Sequence, residues 1–309
     1  MIISGSFFVA LAAPLLAPPN HDQLNTGFKF ADDPKGYLPH PPGPGIPLGS
    51  VPTGSPNRQI DVYYTIVWGT RSALQFGLTV AIATTIFGVI VGAFSAYAGG
   101  LANNFIMRIT DAFLAFPVIV GVVFIQQLHL LSVVASGGQL FLTGEYESGA
   151  NPLPLLTLLE KVDPVMLAII LFSWMISARL TNTVVMRVKQ ADYITASKAL
   201  GASHTRILFR HLIPNSTAPA IIVLARDIGG VVLLQAALTF IGMGGNSLWG
   251  ELLVFGRRWI IGPGGNFMTY WWTYLPATLA IIFFGIGWNL LGDGLNDWLN
   301  PRSSQQFEM

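Results

Sequence analysis

Long runs without a charged side chain dominate the pattern of polar and apolar positions. They cover residues 72–107, 112–144, 164–186 apart from one arginine, 212–250 apart from one Arg-Asp pair, and 259–292. Each run is long enough for the roughly 20 apolar residues with which an α-helix spans a bilayer. Irregular backbone exposed to lipid would leave peptide groups without hydrogen bonds, so we expect these runs to be helical despite their glycines and prolines.

The N-terminal residues are also apolar, and we interpret them as a membrane helix because the basic region that starts a signal peptide is missing. Six membrane helices are therefore predicted, near residues 1–17, 72–98, 105–130, 163–186, 215–241 and 270–292. The predicted organisation is a first membrane helix at 1–17, an extended proline-rich external segment at 18–62, a core with five membrane helices at 63–295, and a cytoplasmic tail at 296–309. Within the core, 187–214 is a cytoplasmic loop, and 131–162 and 242–269 are external loops.

Composition agrees with a membrane protein. Only 10% of the residues are charged, 52% are hydrophobic and the mean hydropathy is +0.58, whereas about 25% of residues are charged in soluble domains. The net charge of +1 gives no indication of a nucleic-acid partner. The absence of cysteine excludes disulfides, thiol catalysis and thiolate metal sites.

Motifs for catalysis are missing from the sequence. There is no phosphate-binding G-x-x-x-x-G-K-[ST] loop, no zinc-binding H-E-x-x-H and no G-x-S-x-G nucleophile turn. The five histidines show no spacing typical of metal ligands. We therefore predict a non-catalytic chain without a metal site.

Basic residues are concentrated in one part of the chain and predict its orientation. Six of them lie between residues 179 and 210: Arg179, Arg187, Lys189, Lys198, Arg206 and Arg210. Lysine and arginine near the ends of membrane helices favour the cytoplasmic side. We therefore expect this region and both chain termini to be cytoplasmic, with the aromatic residues of 270–274 at the outer interface.

The basic region contains a segment of small residues, "ADYITASKALGASHTRILFRHLIPN", at residues 191–215. Its pattern predicts two short helices, the first capped by Asp192 and ended by a left-handed Gly201. Ser203 is placed to cap the second helix, and Pro214 is expected to stop it. One interpretation is an amphipathic helix on the membrane surface, with its basic side chains reaching lipid headgroups.

The spacing of this segment resembles the coupling loop of binding-protein-dependent ABC importer permeases, in which Glu-Ala-Ala is followed after three residues by Gly and after nine more by Ile-x-Leu-Pro. Here the corresponding residues are "TAS" at 195–197, Gly201 and "HLIP" at 211–214. Three further stretches are similar to the peptide-transporting branch: "IMRITDAFLAFP" (106–117), "LLQAALTFIGMG" (233–244) and "NLLGDGLNDWLNPR" (289–302). The chain thus resembles the second, C-type permease subunit of dipeptide and oligopeptide importers.

That resemblance implies an all-α integral membrane protein of the type I importer permease class, with six transmembrane helices and a cytoplasmic coupling helix. It implies half of a peptide pathway across the bacterial inner membrane. Relatives of this family carry dipeptides, longer peptides, nickel chelates or glutathione. The implied partners are a second permease subunit in a heterodimer, an extracytoplasmic binding protein, and two ATPase subunits that dock on 191–213 and bind the ATP and magnesium, so that this chain needs no cofactor.

The resemblance also implies which residues contact the ATPase. They are Asp192, Tyr193, Thr195, Ala196, Ser197, Lys198, Ala199, Leu200, Gly201, Ala202 and Ser203. The sequence departs from the family pattern where Thr195 replaces a glutamate of the coupling motif. Gln235 likewise replaces the glutamate of an "EAALSFLG"-like element.

Two consecutive charges lie in the middle of a predicted span. Arg226 and Asp227 are costly in hydrocarbon, by at least about 2.5 kcal/mol on insertion scales, and indicate a functional role. They line the translocation path or form an ion pair between permease subunits, and Gln235 is a third candidate on the same helix. The charges at Arg108, Asp111 and Arg179 are expected at span ends, reaching the interface or capping helices.

Three other positions carry structural expectations. Pro117 and Pro276 are predicted to kink their helices. His129 is expected to pack near the outer end of the third span rather than to bind a ligand.

Two other functional classes remain as alternatives. A secondary transporter or channel would need its own ion-coupling residues. Arg226 and Asp227 are the only ionisable residues in the middle of a predicted span, and no inverted repeat is visible, which weakens this alternative. A membrane scaffold without transport activity would have nothing docked on 191–213.

Overall fold

Helices make up most of the computed structural model, which describes residues 2–18, 38–53, 59–135, 139–140, 146–147, 163–262 and 264–299. In chain order they are α1 (Ile2–Leu16), α2 (Val62–Ala98), α3 (Gly100–Leu114), α4 (Val118–Ala135), α5 (Pro164–Ser173), α6 (Met175–Val188), α7 (Asp192–Ala199), α8 (His204–Ile207), α9 (Ile213–Phe240), α10 (Leu248–Ile261) and α11 (Leu275–Leu299). A π-helical turn, Leu208–Leu212, joins α8 to α9, and a 3₁₀ turn, Trp271–Thr273, precedes α11. Two short hairpins pair β1 (Ser50–Pro52) with β2 (Gln59–Asp61) and β3 (Gln139–Leu140) with β4 (Tyr146–Glu147).

Among the described helices, four stretches are long and apolar enough to cross a membrane. They are Val62–Ala98, Pro164–Val188, His204–Phe240 and Leu275–Leu299. A fifth span results if α3 and the first part of α4 are counted together, although they are bent by 85°. The remaining predicted span, at residues 1–17, corresponds to α1. This helix has 15 residues, fewer than the about 17–25 that are usual for a membrane helix.

Prolines act differently at the two positions where kinks were expected. The break between α3 and α4 includes Pro117, which confirms the first kink. The second prediction is wrong, because Pro276 is the second residue of α11. In the first turn of a helix the missing N–H of proline has no carbonyl to bond, so the ring is tolerated without a bend.

The chain divides into two compact units. One comprises Met1–Thr79 and Ala225–Leu291, and the other comprises Val80–Leu224 and Gly292–Met309. Helices α2 and α9 each continue from one unit into the other.

In the first unit, part of the proline-rich segment folds onto the start of α2. Residues 50–52 pair with 59–61, and the buried Gln59 amide donates to the Leu38 carbonyl at 3.0 Å. Val51 and Val62 join Leu252 of α10 in a core cluster. Within the segment predicted as extended at 18–62, residues 50–52 and 59–61 are therefore paired strands with buried apolar side chains. Residues 19–37 and 54–58 lie outside the described ranges.

Helix α10 lies inside the segment predicted as the external loop 242–269. Ser247 starts it, since its Oγ accepts a hydrogen bond from the Gly250 N–H at 3.3 Å. The Trp249 side chain is buried and its indole N–H donates to the Ile66 carbonyl at 3.2 Å. Apolar residues recur every three or four positions along this stretch, which is the spacing of a helix with one buried face.

In the second unit, α2 and α6 cross at close range over two glycines. A β-carbon added at Gly88 would lie 2.5 Å from the Trp174 carbonyl oxygen, and one at Gly92 would lie 2.2 Å from the Ala178 carbonyl oxygen. Only residues without a side chain permit this approach, as at small-residue crossings of membrane helices.

A buried polar network lies beside this crossing. The Asn182 amide donates to Asn103 Oδ1 at 2.6 Å, and Ser95 Oγ donates to the same oxygen at 2.7 Å. These three residues belong to α6, α3 and α2 respectively. The network therefore ties three helices of the second unit together.

Candidate functional site

Helix α7 carries most of the residues predicted to contact an ATPase, and its first turn differs from the prediction. The N-cap is Ala191, and no side chain caps the helix. The prediction that Asp192 is the cap is wrong, because Asp192 is the first helical residue. Its carboxylate remains in the first turn, where the helix dipole favours negative charge.

The C-terminal end of α7 confirms the predicted role of Gly201. Its φ is +80°, in the left-handed region that glycine adopts readily. The Gly201 N–H donates to the Lys198 carbonyl at 3.0 Å, and the Ala202 N–H donates to the Ser197 carbonyl at 3.0 Å. This pair of bonds is a Schellman motif, which fixes the direction in which the chain leaves the helix.

Ser203 begins α8 as predicted, since its Oγ accepts from the Arg206 N–H at 3.3 Å. The prediction that Pro214 ends this helix is wrong, because one helical stretch runs from His204 to Phe240. In a regular α-helix the proline ring would clash with the carbonyl four residues earlier. The π-helical turn Leu208–Leu212, closed by the Ile213 N–H on the Leu208 carbonyl, widens the helix before the proline.

Ile194 anchors α7 to the protein and was absent from the predicted contact residues. It is the one buried residue of α7, with none of its surface exposed. It packs in a cluster with residues of α2, α6, α8 and the π-helical turn: Ala93, Ala96, Val185, Ile207, Leu208 and Leu212. It is the only large aliphatic side chain between residues 191 and 199, which is the sequence signal that marks it.

Most of the predicted contact residues form an accessible surface around this anchor, which we call the docking face. It consists of Asp192, Tyr193, Thr195, Ala196, Lys198, Ala199, Leu200, Gly201 and Ser203, all of which are exposed. The two remaining predicted residues, Ser197 and Ala202, are half-buried. Leu200 is 88% exposed and Tyr193 is 45% exposed, so two apolar side chains project from an otherwise small and polar surface.

The three candidates on α9 do not share one environment. Arg226 is exposed, Asp227 is half-buried and Gln235 is buried. At about 100° per residue, the nine positions from Arg226 to Gln235 place these two side chains on opposite sides of the helix. Consecutive residues such as Arg226 and Asp227 also do not face one another.

Gln235 braces the glycine-rich turn that follows α9. Its Nε2 donates to the Gly245 carbonyl at 2.6 Å. Thr239 Oγ1 bonds the Gly244 carbonyl at 3.0 Å and accepts from the Ser247 N–H at 3.1 Å. These bonds position Ser247, which caps α10.

Replacement of Gln235 by leucine is expected to lower the thermal unfolding temperature of the detergent-solubilised protein. Leucine has a similar size but leaves the buried Gly245 carbonyl without its donor, at a cost of about 1–3 kcal/mol. Leu233→Ala on the exposed side of α9 is the control. An unfolding temperature equal to that of the control would contradict the bracing role.

Ionisable side chains outside the docking face are placed as follows. Arg179 Nη1 lies 3.1 Å from Asp111 Oδ1, so these two residues pair across α6 and α3 rather than capping helices.

Burial raises the pKa of the Glu251 carboxyl, in α10, to about 7. Within the described ranges, no three His, Asp or Glu side chains are grouped closely enough to hold a metal ion. The side chain of His129 lies outside the described residues.

Comparison with known proteins identifies the family. The family model described as "Binding-protein-dependent transport system inner membrane component" matches residues 85–305. A dipeptide transport system permease protein of Alkalihalophilus pseudofirmus is 28% identical over 305 residues, covering 98% of this chain and 84% of the relative. A dipeptide transport system permease protein of Haemophilus influenzae is 30% identical over 247 residues, covering 79% of this chain and 72% of the relative.

A solved structure is also similar, a chain of the MetNI methionine ABC transporter in an inward-facing conformation. The TM-score is 0.48 at 17% identity, covering 75% of this chain and 94% of that chain. The family match covers more than two thirds of this chain and includes α7, α8 and α9. The protein is therefore a multi-pass membrane protein that belongs to the family of binding-protein-dependent transport system inner membrane components.

Proposed function

We propose that this permease subunit forms half of a pathway that imports peptides, driven by separate ATP-binding-cassette ATPase subunits. Support for a peptide substrate comes from relatives whose names state dipeptide or oligopeptide transport. An extracytoplasmic binding protein delivers the peptide, and a second permease subunit supplies the other half. ATP and Mg²⁺ are bound by the ATPase subunits, and this chain carries no catalytic residue.

The observation that carries this proposal is the docking face on α7. The helix is short, capped at its C-terminal end and anchored by one buried side chain, and it is joined by single turns to helices on both sides. A partner that grips such a helix moves the flanking helices with it. Small side chains such as Ala196 and Ala199 permit close approach, and Leu200 is the apolar residue placed to enter a pocket.

The alternative of a helix lying on the membrane surface fits this geometry less well. An interfacial helix inserts an apolar face into the headgroup region. In α7 the one large aliphatic residue, Ile194, is instead buried against protein. The outward side carries Asp192, Thr195 and Lys198 beside the apolar Tyr193 and Leu200, and two such side chains give too little apolar surface for insertion. Docking of a protein partner accounts better for this arrangement. We also propose, from the concentration of basic residues near this segment, that the segment and both chain ends are cytoplasmic.

Arg226 supports a partner on the membrane part of the chain. It is exposed in the single chain although it lies in a stretch long and apolar enough to span the bilayer. A guanidinium in that position is expected to face protein or a water-filled path rather than lipid. Both the interface with a second permease and the peptide pathway satisfy this requirement.

The proposal is tested with Leu200→Asp. A carboxylate in an apolar pocket is strongly disfavoured, so we expect the ATPase subunits to be lost when the importer is purified through a tag on this chain. ATP-dependent uptake of radiolabelled dialanine and tetraalanine by proteoliposomes with the binding protein should also be lost. The matched variants are Leu200→Met, which keeps an apolar side chain of similar size, and Arg187→Gln, which changes an exposed residue outside the docking face.

Two outcomes would overturn the proposal. ATPase subunits that stay bound to the Leu200→Asp protein would exclude docking at this face. Failure of the unmodified importer to take up either peptide, with the ATPase subunits bound and hydrolysing ATP, would exclude the peptide substrate.

A further inference from the structure

The C-terminal end of α2 is capped by a side chain from outside that helix. The last four carbonyls of an α-helix lack a partner within it. Here Lys189 Nζ donates to the Ala96 carbonyl at 3.2 Å and to the Tyr97 carbonyl at 2.6 Å. A cation at this end of a helix is favoured by the helix dipole and by charge-assisted hydrogen bonds. Lys189 lies in the turn between α6 and α7, three residues before Asp192.

The same turn of α2 is held from the other end of α7. The Tyr97 hydroxyl is hydrogen-bonded to Nδ1 of His204, the first residue of α8, and the two rings are 5.8 Å apart in an edge-on arrangement. The Lys189 ammonium also lies 5.5 Å from the centre of the Tyr97 ring. Tyr97 is therefore contacted by residues on both sides of the docking face.

The backbone connections of α7 show why its contacts with α2 matter. Helix α7 is joined by the backbone to α6 on one side and, through α8, to α9 on the other. It has no direct backbone connection to α2, which is one uninterrupted helix from Val62 to Ala98. Besides the crossing of α2 with α6, contacts at the end of α2 are the means by which a displacement of α7 could reach this helix.

We propose that Lys189, with the Tyr97–His204 pair, forms a clasp that fastens the cytoplasmic end of α2 to the docking helix. Lys189 is then a positioning residue for transport: it makes α2 follow α7 when an ATPase moves it. The inference rests on the proposed docking of an ATPase on α7. Transmission needs a rigid connection between the gripped helix and the moving span.

Lys189 is half-buried beside an apolar contact between the same elements. Burial lowers its pKa, and the nearby Lys198 lowers it further, so the two α2 carbonyls and the helix dipole are what favour the ammonium at this position. Ile194 packs against Ala93 and Ala96, one turn or less from the carbonyls that Lys189 caps. Phe94 and Phe209 add a ring contact at 6.2 Å between α2 and the π-helical turn. The clasp thus continues an apolar contact that already joins the same elements.

The test compares Lys189→Gln with Lys189→Arg in the complete importer, reconstituted with its ATPase subunits and binding protein. The measured quantity is dialanine or tetraalanine imported per ATP hydrolysed. For Lys189→Gln we expect this ratio to fall about fivefold or more with the ATPase subunits still bound, because the loss of charge weakens both hydrogen bonds. Arginine keeps the cation and is expected to restore the ratio to within about twofold. The matched control is Arg187→Gln, which removes an exposed charge two residues away and should leave the ratio unchanged.

Tyr97→Phe provides an independent test that keeps the ring and the fold. It removes only the hydroxyl bonded to His204, and we expect a fall of about twofold to threefold in the same ratio. A ratio unchanged in both Lys189→Gln and Tyr97→Phe would overturn the clasp. Failure of the docking proposal would be seen separately, as ATPase subunits that remain bound to the Leu200→Asp protein.

Discussion

Substitution of Gly92 by alanine is expected to destabilise the solubilised permease severely. The new β-carbon would lie 2.2 Å from the Ala178 carbonyl oxygen, and backbone on the facing helix cannot turn aside as a flexible side chain can. Helices α2 and α6 must therefore separate. The separation would also strain the Asn182–Asn103 hydrogen bond beside the crossing. Overpacking and partial loss of a buried polar network together suggest a loss on the order of 3 kcal/mol.

Gly230 provides the matched control for this substitution. It also lies inside a membrane-length helix, but a β-carbon there would meet nothing within 4 Å. Gly230→Ala is expected to be neutral or to stabilise by up to about 1 kcal/mol, because alanine favours the helix. The measurement is the thermal unfolding temperature in detergent, with size-exclusion chromatography to confirm a monodisperse protein. Equal unfolding temperatures for the two variants would contradict the close crossing of α2 and α6.

Features determined by local sequence could be predicted. The uncharged runs predicted where long helices lie, because hydrocarbon excludes charge over a length that the sequence displays directly. The left-handed Gly201 and the cap at Ser203 followed from neighbouring residues alone. The family resemblance rested on spacing along the chain, and the match over residues 85–305 confirms it.

Features that depend on neighbours distant in sequence were not predicted. Pro214 was expected to end a helix, but the preceding π-helical turn removes the clash, and no residue type marks such a turn in advance. The role proposed for Lys189 rests on its hydrogen bonds to carbonyls more than 90 residues away. The anchoring role of Ile194 was also missed: its aliphatic side chain stands out in the sequence, but the residues of other helices that bury it are brought together only by the fold.

The bend between α3 and α4 illustrates a third case. The sequence predicted a kink at Pro117, and the structure confirms its position. Its size of 85° depends on packing, including the stacked rings of Phe116 and Phe172, 5.2 Å apart. A proline predicts where a helix bends, whereas the bend angle depends on the side chains that pack at the bend.

Replacement of Gly201 by valine is expected to reduce ATPase association and ATP-dependent uptake by about tenfold or more while leaving the membrane helices folded. Gly201 has a φ of +80°, and a β-carbon added there would meet nothing within 4 Å. The effect is therefore conformational rather than steric contact with a neighbour. The left-handed region costs an ordinary L-residue about 1–2 kcal/mol and a β-branched residue more. The turn would leave this conformation, break the bonds to Lys198 and Ser197, and change the direction of Leu200.

A series of substitutions at this one position separates the effect of backbone conformation from the effect of adding a side chain to the docking face. Asparagine tolerates the left-handed region, so Gly201→Asn should retain association close to that of the unmodified protein, with alanine intermediate and valine weakest. Association is measured by co-purification of the ATPase subunits, and thermal unfolding in detergent should be nearly the same for all variants because Gly201 is exposed. Association equal to that of the unmodified protein in the asparagine, alanine and valine variants would show that the Schellman turn does not orient the docking face. A uniform loss in all three would instead mean that a partner contacts the bare backbone at Gly201, since asparagine keeps the turn but adds a side chain to the docking face.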